Sequence, residues 1–217
     1  MEDIYLSKAE VSYETVHKAG IRNIYDWHQK AWMCFPNRHG QKRDFLIRID
    51  DTNQGFRLLV ISTEKPSKPD WCPDGSWKTK KITEDFFEAD HYDFSLLANP
   101  TFKTNGHRGT KKRVPILMEN DTLDGQTMHP GLLSWIRRKG EQNGFVIDEK
   151  TLQIRRGRRQ EFQAKGIAGC FSSVEFVGTL KVSDGNLFKN VVRRGIGTGK
   201  AFGFGMLCLA RRMDGQA

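Results

Sequence analysis

Tyr25 and His28 place a phenol and an imidazole three residues apart in Ile24-Tyr25-Asp26-Trp27-His28. On a helix the two share a face, with Trp32 one turn beyond His28. Imidazole titrates near neutrality, so the pair could move a proton beside a positioning hydroxyl. This chemistry suits a phosphodiester that carries its own nucleophile. A ribose 2′-hydroxyl need only be aligned with the adjacent phosphorus while two protons are shuttled, and no metal is required. The same face carries Ile21, Ile24 and Phe35, so the sequence also admits a core histidine with a satisfied hydrogen bond, and on these residues alone that reading is the simpler one.

Two further clusters could hold an anion. Arg155-Arg156-Gly157-Arg158-Arg159, followed by Lys165, packs four guanidinium groups into five positions. Guanidinium binds phosphate bidentately, and charges this dense repel unless something anionic neutralises them. The glycine suggests the tip of a hairpin that could clamp an RNA stem, which is recognised largely by shape and backbone; the alternative is a solvated charge run. Gly195 to Gly205 is a glycine-rich stretch that includes Gly197, Gly199, Lys200 and Gly203. It fails as a nucleotide-binding P-loop. Arg194 stands where the motif's first glycine belongs, and Ala201 replaces the magnesium-binding hydroxyl. Such glycines can still let backbone N–H groups approach phosphate, or simply make a flexible turn. Arg38, Lys42-Arg43 and Lys111-Lys112-Arg113 are lesser basic signals. The other histidines form no metal-ligand set, and no cofactor is implied.

The bulk numbers agree with an anionic partner. Over 217 residues, 35 Lys and Arg against 26 Asp and Glu give a net charge of +9, and the pI is near 9.5, the footprint of a nucleic-acid binder. None of the four cysteines forms a C-x-x-C pair. Cys34, Cys170 and Cys208 have apolar neighbours, as expected of reduced core thiols in a reducing cytoplasm. No run approaches the ~20 apolar residues of a membrane span, and no signal peptide is visible.

The elements that must position these groups follow from periodicity. Strands are expected at Ile4 to Val11, Arg43 to Asp51 and Phe56 to Ser62, with a helix from Ile21 to Phe35 stopping at Pro36. Glu64 to Lys81 reads as a long loop, Ile82 to Ala89 as a short helix and Tyr92 to Ala98 as a strand. Then come a strand at Val114 to Met118, a helix at Pro130 to Gln142, strands at Phe145 to Ile154 and Phe171 to Val182, a helix capped by Asp184, and a last strand at Phe204 to Ala210. The simplest account is an α+β chain of two tandem ferredoxin-like (RRM-like) βαββαβ domains. The expected division is 1–100, with the Tyr/His helix, and 101–217, with the basic hairpin and glycine-rich loop.

Several phrases, in this order, carry a resemblance: Ile4-Tyr5-Leu6-Ser7-Lys8; Tyr25-x-x-His28-Gln29-x-x-Trp32; Phe35-Pro36-Asn37-Arg38; Leu96-x-Ala98-Asn99-Pro100; Lys112-Arg113-Val114-Pro115; Trp135-Ile136-x-Arg138-Lys139; Gly195-Ile196-Gly197; and Lys200-Ala201-Phe202-Gly203. Together they resemble the CasE (Cse3) family of CRISPR endoribonucleases over nearly the whole chain. The resemblance implies metal-independent cutting of the repeat transcript at the 3′ base of its stem-loop. It implies 2′,3′-cyclic phosphate and 5′-hydroxyl ends, and an enzyme that stays on its product within the Cascade complex beside other subunits. Tyr25 and His28 fall on the family's active-site pair. Arg155, Arg156, Arg158, Arg159 and Lys165 fall where members present basic residues to the stem, and Gly197, Gly199, Lys200 and Gly203 match its glycine-rich loop. Two other classes stay open: a catalytically silent RNA-binding subunit, and a ferredoxin-like domain that binds a small anion at the glycine-rich loop.

Overall fold

Alternating apolar residues build two antiparallel sheets, and a computed structural model describes them over residues 3–38, 41–105, 111–116, 131–164 and 167–212. The first sheet has the order β2-β3-β1-β4, from β1 (Ile4–Ser12), β2 (Leu46–Thr52), β3 (Gly55–Ser62) and β4 (Trp77–Ile82). Between β1 and β2 lie α1 (Tyr13–Lys18) and α2 (Ile24–Trp32). β2 and β3 form the expected hairpin, closing at the Thr52–Gly55 pair.

The second sheet has the order β10-β5-β9-β8, from β5 (His91–Ala98), β8 (Phe145–Ala164), β9 (Ile167–Val182) and β10 (Leu207–Arg211). α3 (Leu132–Glu141) connects β5 to β8 and α4 (Gly185–Arg194) connects β9 to β10. This is a complete βαββαβ unit with the fourth strand beside the first, the ferredoxin-like order. The first unit repeats that order, except that the loop 63–76 stands where a second helix would run. The fold is therefore two tandem ferredoxin-like units.

Four expectations change. Tyr92 to Ala98, expected to end the first unit, is a central strand of the second sheet, paired with β9 and β10. The chain crosses between sheets after Ile82 and before His91, and we place the division there instead of at residue 100. The first unit closes on β4, inside the stretch expected to be loop. β4 is an edge strand rich in lysine, and charge on an edge hides its alternation. Lys111 to Pro115 is β7, which pairs only with β6 (Thr101–Asn105) as a separate hairpin, and does not start the second unit. The short helix expected after Ile82 is a single 3₁₀ turn, Glu84–Phe87.

Each unit has its own core. Trp27, Ala31, Phe35, Phe45, Leu58 and Val60 fill the first; Tyr92, Trp135, Phe145, Phe176 and Phe188 fill the second. A third cluster crosses the junction, with Ile4, Leu46 and Ile61 from the first unit and Val192 and Met206 from the second. Arg48 reinforces this seam. It is 6% exposed and binds Asp50 at 2.7 Å on its own strand. Across the seam it donates to Ser95 at 2.8 Å and to Glu175 at 2.9 Å.

Candidate active site at the junction of the two units

α2 starts at Ile24 because Asn23 caps it. The Asn23 side-chain oxygen accepts from the Tyr25 and Asp26 N–H groups at 2.8 and 3.1 Å, satisfying donors a helix start leaves unpaired. The helix is shorter than the Ile21–Phe35 expectation, and its last turns relax through Phe35 before Pro36. α1 was not expected at all: Ser12 caps it by accepting from Thr15 N–H at 3.1 Å, and it buries only Val16, too little to give a helical pattern. α2 buries Trp27 and Ala31 on the first sheet. That leaves Tyr25, His28 and Trp32 half-buried on its flank.

The glycine-rich loop closes on this flank. Its 3₁₀ turn, Lys200–Phe202, packs against α2 and β2. The Phe202 ring lies 5.6 Å from His28 and 5.2 Å from Phe171 of β9. Gly199 and Gly203, at φ +73° and +88°, bracket the turn in the left-handed region that glycine alone enters easily. A Cβ on Gly203 would stand 2.9 Å from Ile49 Cδ1. Gly197 faces the Trp135 ring. The N–H groups of Ile196, Phe202 and Gly205 donate to Gly205, Gly199 and Leu97 carbonyls. The glycines let the loop fold tightly onto its neighbours, and these three N–H groups are spent within the protein.

His28 is neither a satisfied core histidine nor a solvent-exposed one. The Trp32 indole N–H donates to its Nε2 at 3.3 Å. Its Nδ1 is buried without a hydrogen-bond partner of good geometry, although the Ala201 backbone lies close enough to favour the charged ring weakly. Burial first, and the Arg43 guanidinium second, hold its pKa below the ordinary histidine value. The Tyr25 hydroxyl, three residues back, has no hydrogen-bond partner among the described residues.

Cations surround this ring. Arg43 donates to the Phe45 carbonyl and lies over the Phe45 ring at 5.7 Å; burial lowers its pKa, and Asp44 opposes the shift. Lys200 donates to the Arg194 carbonyl at 2.9 Å. Burial and the charges of Arg43, Arg194 and Lys139 push its pKa down. Burial, then Arg138 and Arg113, does the same to Lys139. The charged groups acting on Lys200 and Lys139 are all cations, so Arg43, Lys200, Arg194, Lys139, Arg138 and Arg113 form a ridge whose repulsion an anion would relieve. Sequence reading singled out Lys200 and Arg113 but gave Arg43 little weight and left out Arg194 and Lys139, because only the fold brings these separate segments together.

The other expected residues are placed unevenly. Arg38 is 13% exposed and is held by Asp44 and, at 3.7 Å, by Glu64, so carboxylates already occupy it. Arg155 and Arg156 project from β8, and Arg155 bonds Gln153. Gly157 is not a hairpin tip. It lies in a register shift within the strand, where a Cβ would meet Ser173 Oγ at 2.2 Å. The two strands pair on well beyond it, to Ala164–Ile167. The side chains of Lys112, Arg158 and Arg159, and all of Lys165, lie outside the described residues. The hairpin does reach the site. Gln160 of β8 lines a cavity of about 240 Å³ with Asn23, Trp27, Phe202 and Gly203.

The cysteines follow burial more than their neighbours in sequence. Cys34 and Cys72 are buried, Cys208 is intermediate and Cys170 is exposed, and all four are free thiols. No helix of the described residues is long and apolar enough to cross a membrane.

Comparisons with known proteins agree with this architecture. Residues 4–211 match the family described as CRISPR associated protein. The chain is 30% identical to the CRISPR system Cascade subunit CasE of Escherichia coli K12, covering 95% of this chain and 99% of that one. It is 24% identical to the CRISPR-associated endoribonuclease Cse3 of Thermus thermophilus, over 88% and 91% of the two chains. The crystal structure of Cas6e from Escherichia coli K-12 superposes with a TM-score of 0.68 at 25% identity, covering 96% of this chain and all of the other. A structure of Cse3 bound to a 19-nucleotide RNA shares the fold, with a TM-score of 0.72 at 23% identity over 96% and 99% of the two chains. With the family match and the CasE relative both spanning nearly its whole length, the chain belongs to the CasE (Cse3) family of CRISPR-associated proteins.

Proposed function

We propose that this protein is a metal-independent endoribonuclease that processes CRISPR repeat transcripts. It cuts at the 3′ base of the repeat stem-loop by 2′-hydroxyl attack and leaves 2′,3′-cyclic phosphate and 5′-hydroxyl ends. It then stays on the mature RNA as a Cascade subunit in the bacterial cytoplasm, where free thiols persist. The observation that carries the reading is the half-buried His28 ring, packed against Phe202 and acted on by the Arg43 guanidinium.

The depressed pKa keeps His28 neutral near pH 7, in the form that accepts a proton. We assign it the 2′-hydroxyl proton, taken once RNA has opened a ring nitrogen, with Tyr25 orienting the nucleophile or the phosphate. Attack puts negative charge on the phosphorane oxygens. Arg43, which acts on the ring, and Lys200, in the turn that packs on α2, are the cations we assign to stabilise that charge. The ridge from Arg194 to Arg113 and the guanidinium groups of the β8 hairpin hold the RNA backbone on either side.

The test is cleavage of a stem-loop repeat RNA in EDTA, comparing the wild type with His28→Ala. A single cut at the stem base with a cyclic-phosphate end, lost in the variant while RNA binding is retained, supports the reading. Undiminished cutting by His28→Ala would eliminate it, and tight binding without cutting by either protein would make the chain a silent RNA-binding subunit.

A further inference from the structure

In this structure neither ring nitrogen of His28 is open to RNA. Nδ1 is buried on the side of the Ala201 backbone and has no hydrogen-bond partner. Nε2 accepts the Trp32 indole N–H at 3.3 Å. An indole N–H can only donate, so Nε2 must present its lone pair to it. The neutral ring is thereby fixed as the Nδ1–H tautomer, since the bond made at one nitrogen decides where the proton sits. Trp32 is itself well held. Its ring meets Phe45 edge-on at 5.0 Å, and it lies one helical turn beyond His28, the spacing at which helical side chains meet. It also lines an open groove of about 860 Å³ with Gln29, Met33 and Pro36, which gives the indole room to move.

We propose that Trp32 is a positioning residue for His28: its N–H selects the tautomer and occupies Nε2, and bound RNA must displace that bond before His28 can exchange a proton. The inference rests on His28 acting in the reaction. Its chemistry is the same whether His28 acts as base or acid, because a donor on Nε2 opposes proton uptake there in both cases. The groups facing the ring from the elements around it are Arg43 from the segment before β2 and the Ala201 backbone and Phe202 from the glycine-rich loop, with Lys200 beside them in the chain. Arg43 is the charged group among these that acts on the ring directly, and it stays in place in the test.

Trp32→Phe keeps an aromatic ring to pack against Phe45 and removes the N–H donor, with a smaller ring in its place. With one neutral hydrogen bond to the unprotonated ring gone, the His28 pKa should rise by roughly half to one unit. The experiment is an NMR titration of the His28 ring nitrogens in the free full-length protein, wild type against Trp32→Phe. Single-turnover cleavage against pH at saturating stem-loop RNA is measured alongside. The expected result is a higher ring pKa in the free protein and, because bound RNA has already displaced the bond in the wild type, a histidine limb of the saturated rate profile that stays where it is.

An unchanged or lower His28 pKa in folded Trp32→Phe overturns the proposal. A rate profile that moves to higher pH at saturating RNA overturns its second half, the displacement by RNA, because the bond would then persist in the complex. If Trp32→Phe fails to fold, the wild-type indole N–H resonance decides. It should shift as His28 titrates and lose that shift in His28→Ala, and an indifferent resonance overturns the proposal. Continued cutting by His28→Ala would instead remove the catalytic reading, while a raised ring pKa in Trp32→Phe would still show that Trp32 holds the ring.

Discussion

Arg48→Met should weaken the whole protein, because one buried guanidinium ties the two sheets together. It donates to Asp50 on β2, Ser95 on β5 and Glu175 on β9, all within 2.9 Å. Methionine can fill much of the same space but leaves two carboxylates at the seam without their guanidinium. Removing one partner of a buried pair costs about 3–5 kcal/mol. Two features pull this case to the lower end. Asp50 retains Arg57 at 2.8 Å, and Glu175 is 30% exposed and retains Ser95 at 3.0 Å. We expect a loss of about 3 kcal/mol in urea unfolding followed by tryptophan fluorescence, with the slope against denaturant unchanged. Adding Glu175→Gln should recover roughly 1 kcal/mol, since the second variant removes the stranded charge. A loss under about 1 kcal/mol for Arg48→Met, or no recovery on adding Glu175→Gln, would refute the assignment of Arg48 as the electrostatic pin of the seam.

Gly203→Ala should cost about 1–2 kcal/mol, from the left-handed backbone and the contact with Ile49, and should slow cleavage by bound protein more than it weakens RNA affinity. Affinity measured against salt should fall steeply, with a slope of about −0.7 to −0.9 per phosphate contact, and Lys139→Ala should reduce that slope by about one contact without moving the cut site. A thiol-reactive maleimide should label Cys170 rapidly in the native protein. Cys34, whose pKa burial and then Cys72 push up to about 12, should stay unlabelled until the chain unfolds. Acid should also destabilise the fold through His28. Its folded pKa is depressed, so its contribution is present above the ordinary histidine value near 6.5 and is lost as pH falls through the depressed value. The wild-type melting temperature should therefore fall more steeply below about pH 6.5 than that of His28→Ala.

The sequence reading succeeded where one local rule decides the outcome. The β2–β3 hairpin was legible from its turn cluster and alternation, and α4 from Asp184, which accepts from the Asn186 and Leu187 N–H groups. It failed where pairing with distant chain decides. Nothing local in Tyr92 to Ala98 says that its partners are Leu180 and Leu207 and their neighbours, well downstream, and not β1. The Lys-rich face of β4 hid a strand for the same reason. At the site, the Tyr25–His28 spacing was visible, and the family phrases added weight to it. The indole on Nε2, the Phe202 ring and the cations from Arg43 to Arg113 were not, because each comes from a different segment and meets the others only once the two units are joined.

The framing of His28 by the glycine-rich loop has a consequence for synthesis. The helix that carries the histidine emerges early from the ribosome, while Lys200 and Phe202 follow about 170 residues later. At translation rates of about 5–20 residues per second, that is a delay of roughly ten to thirty seconds. Through that interval the nascent first unit has its imidazole but neither the ring that packs on it nor the ammonium behind it. Competence to cut RNA is then a late event in translation, and a half-made chain that meets a transcript should leave it whole.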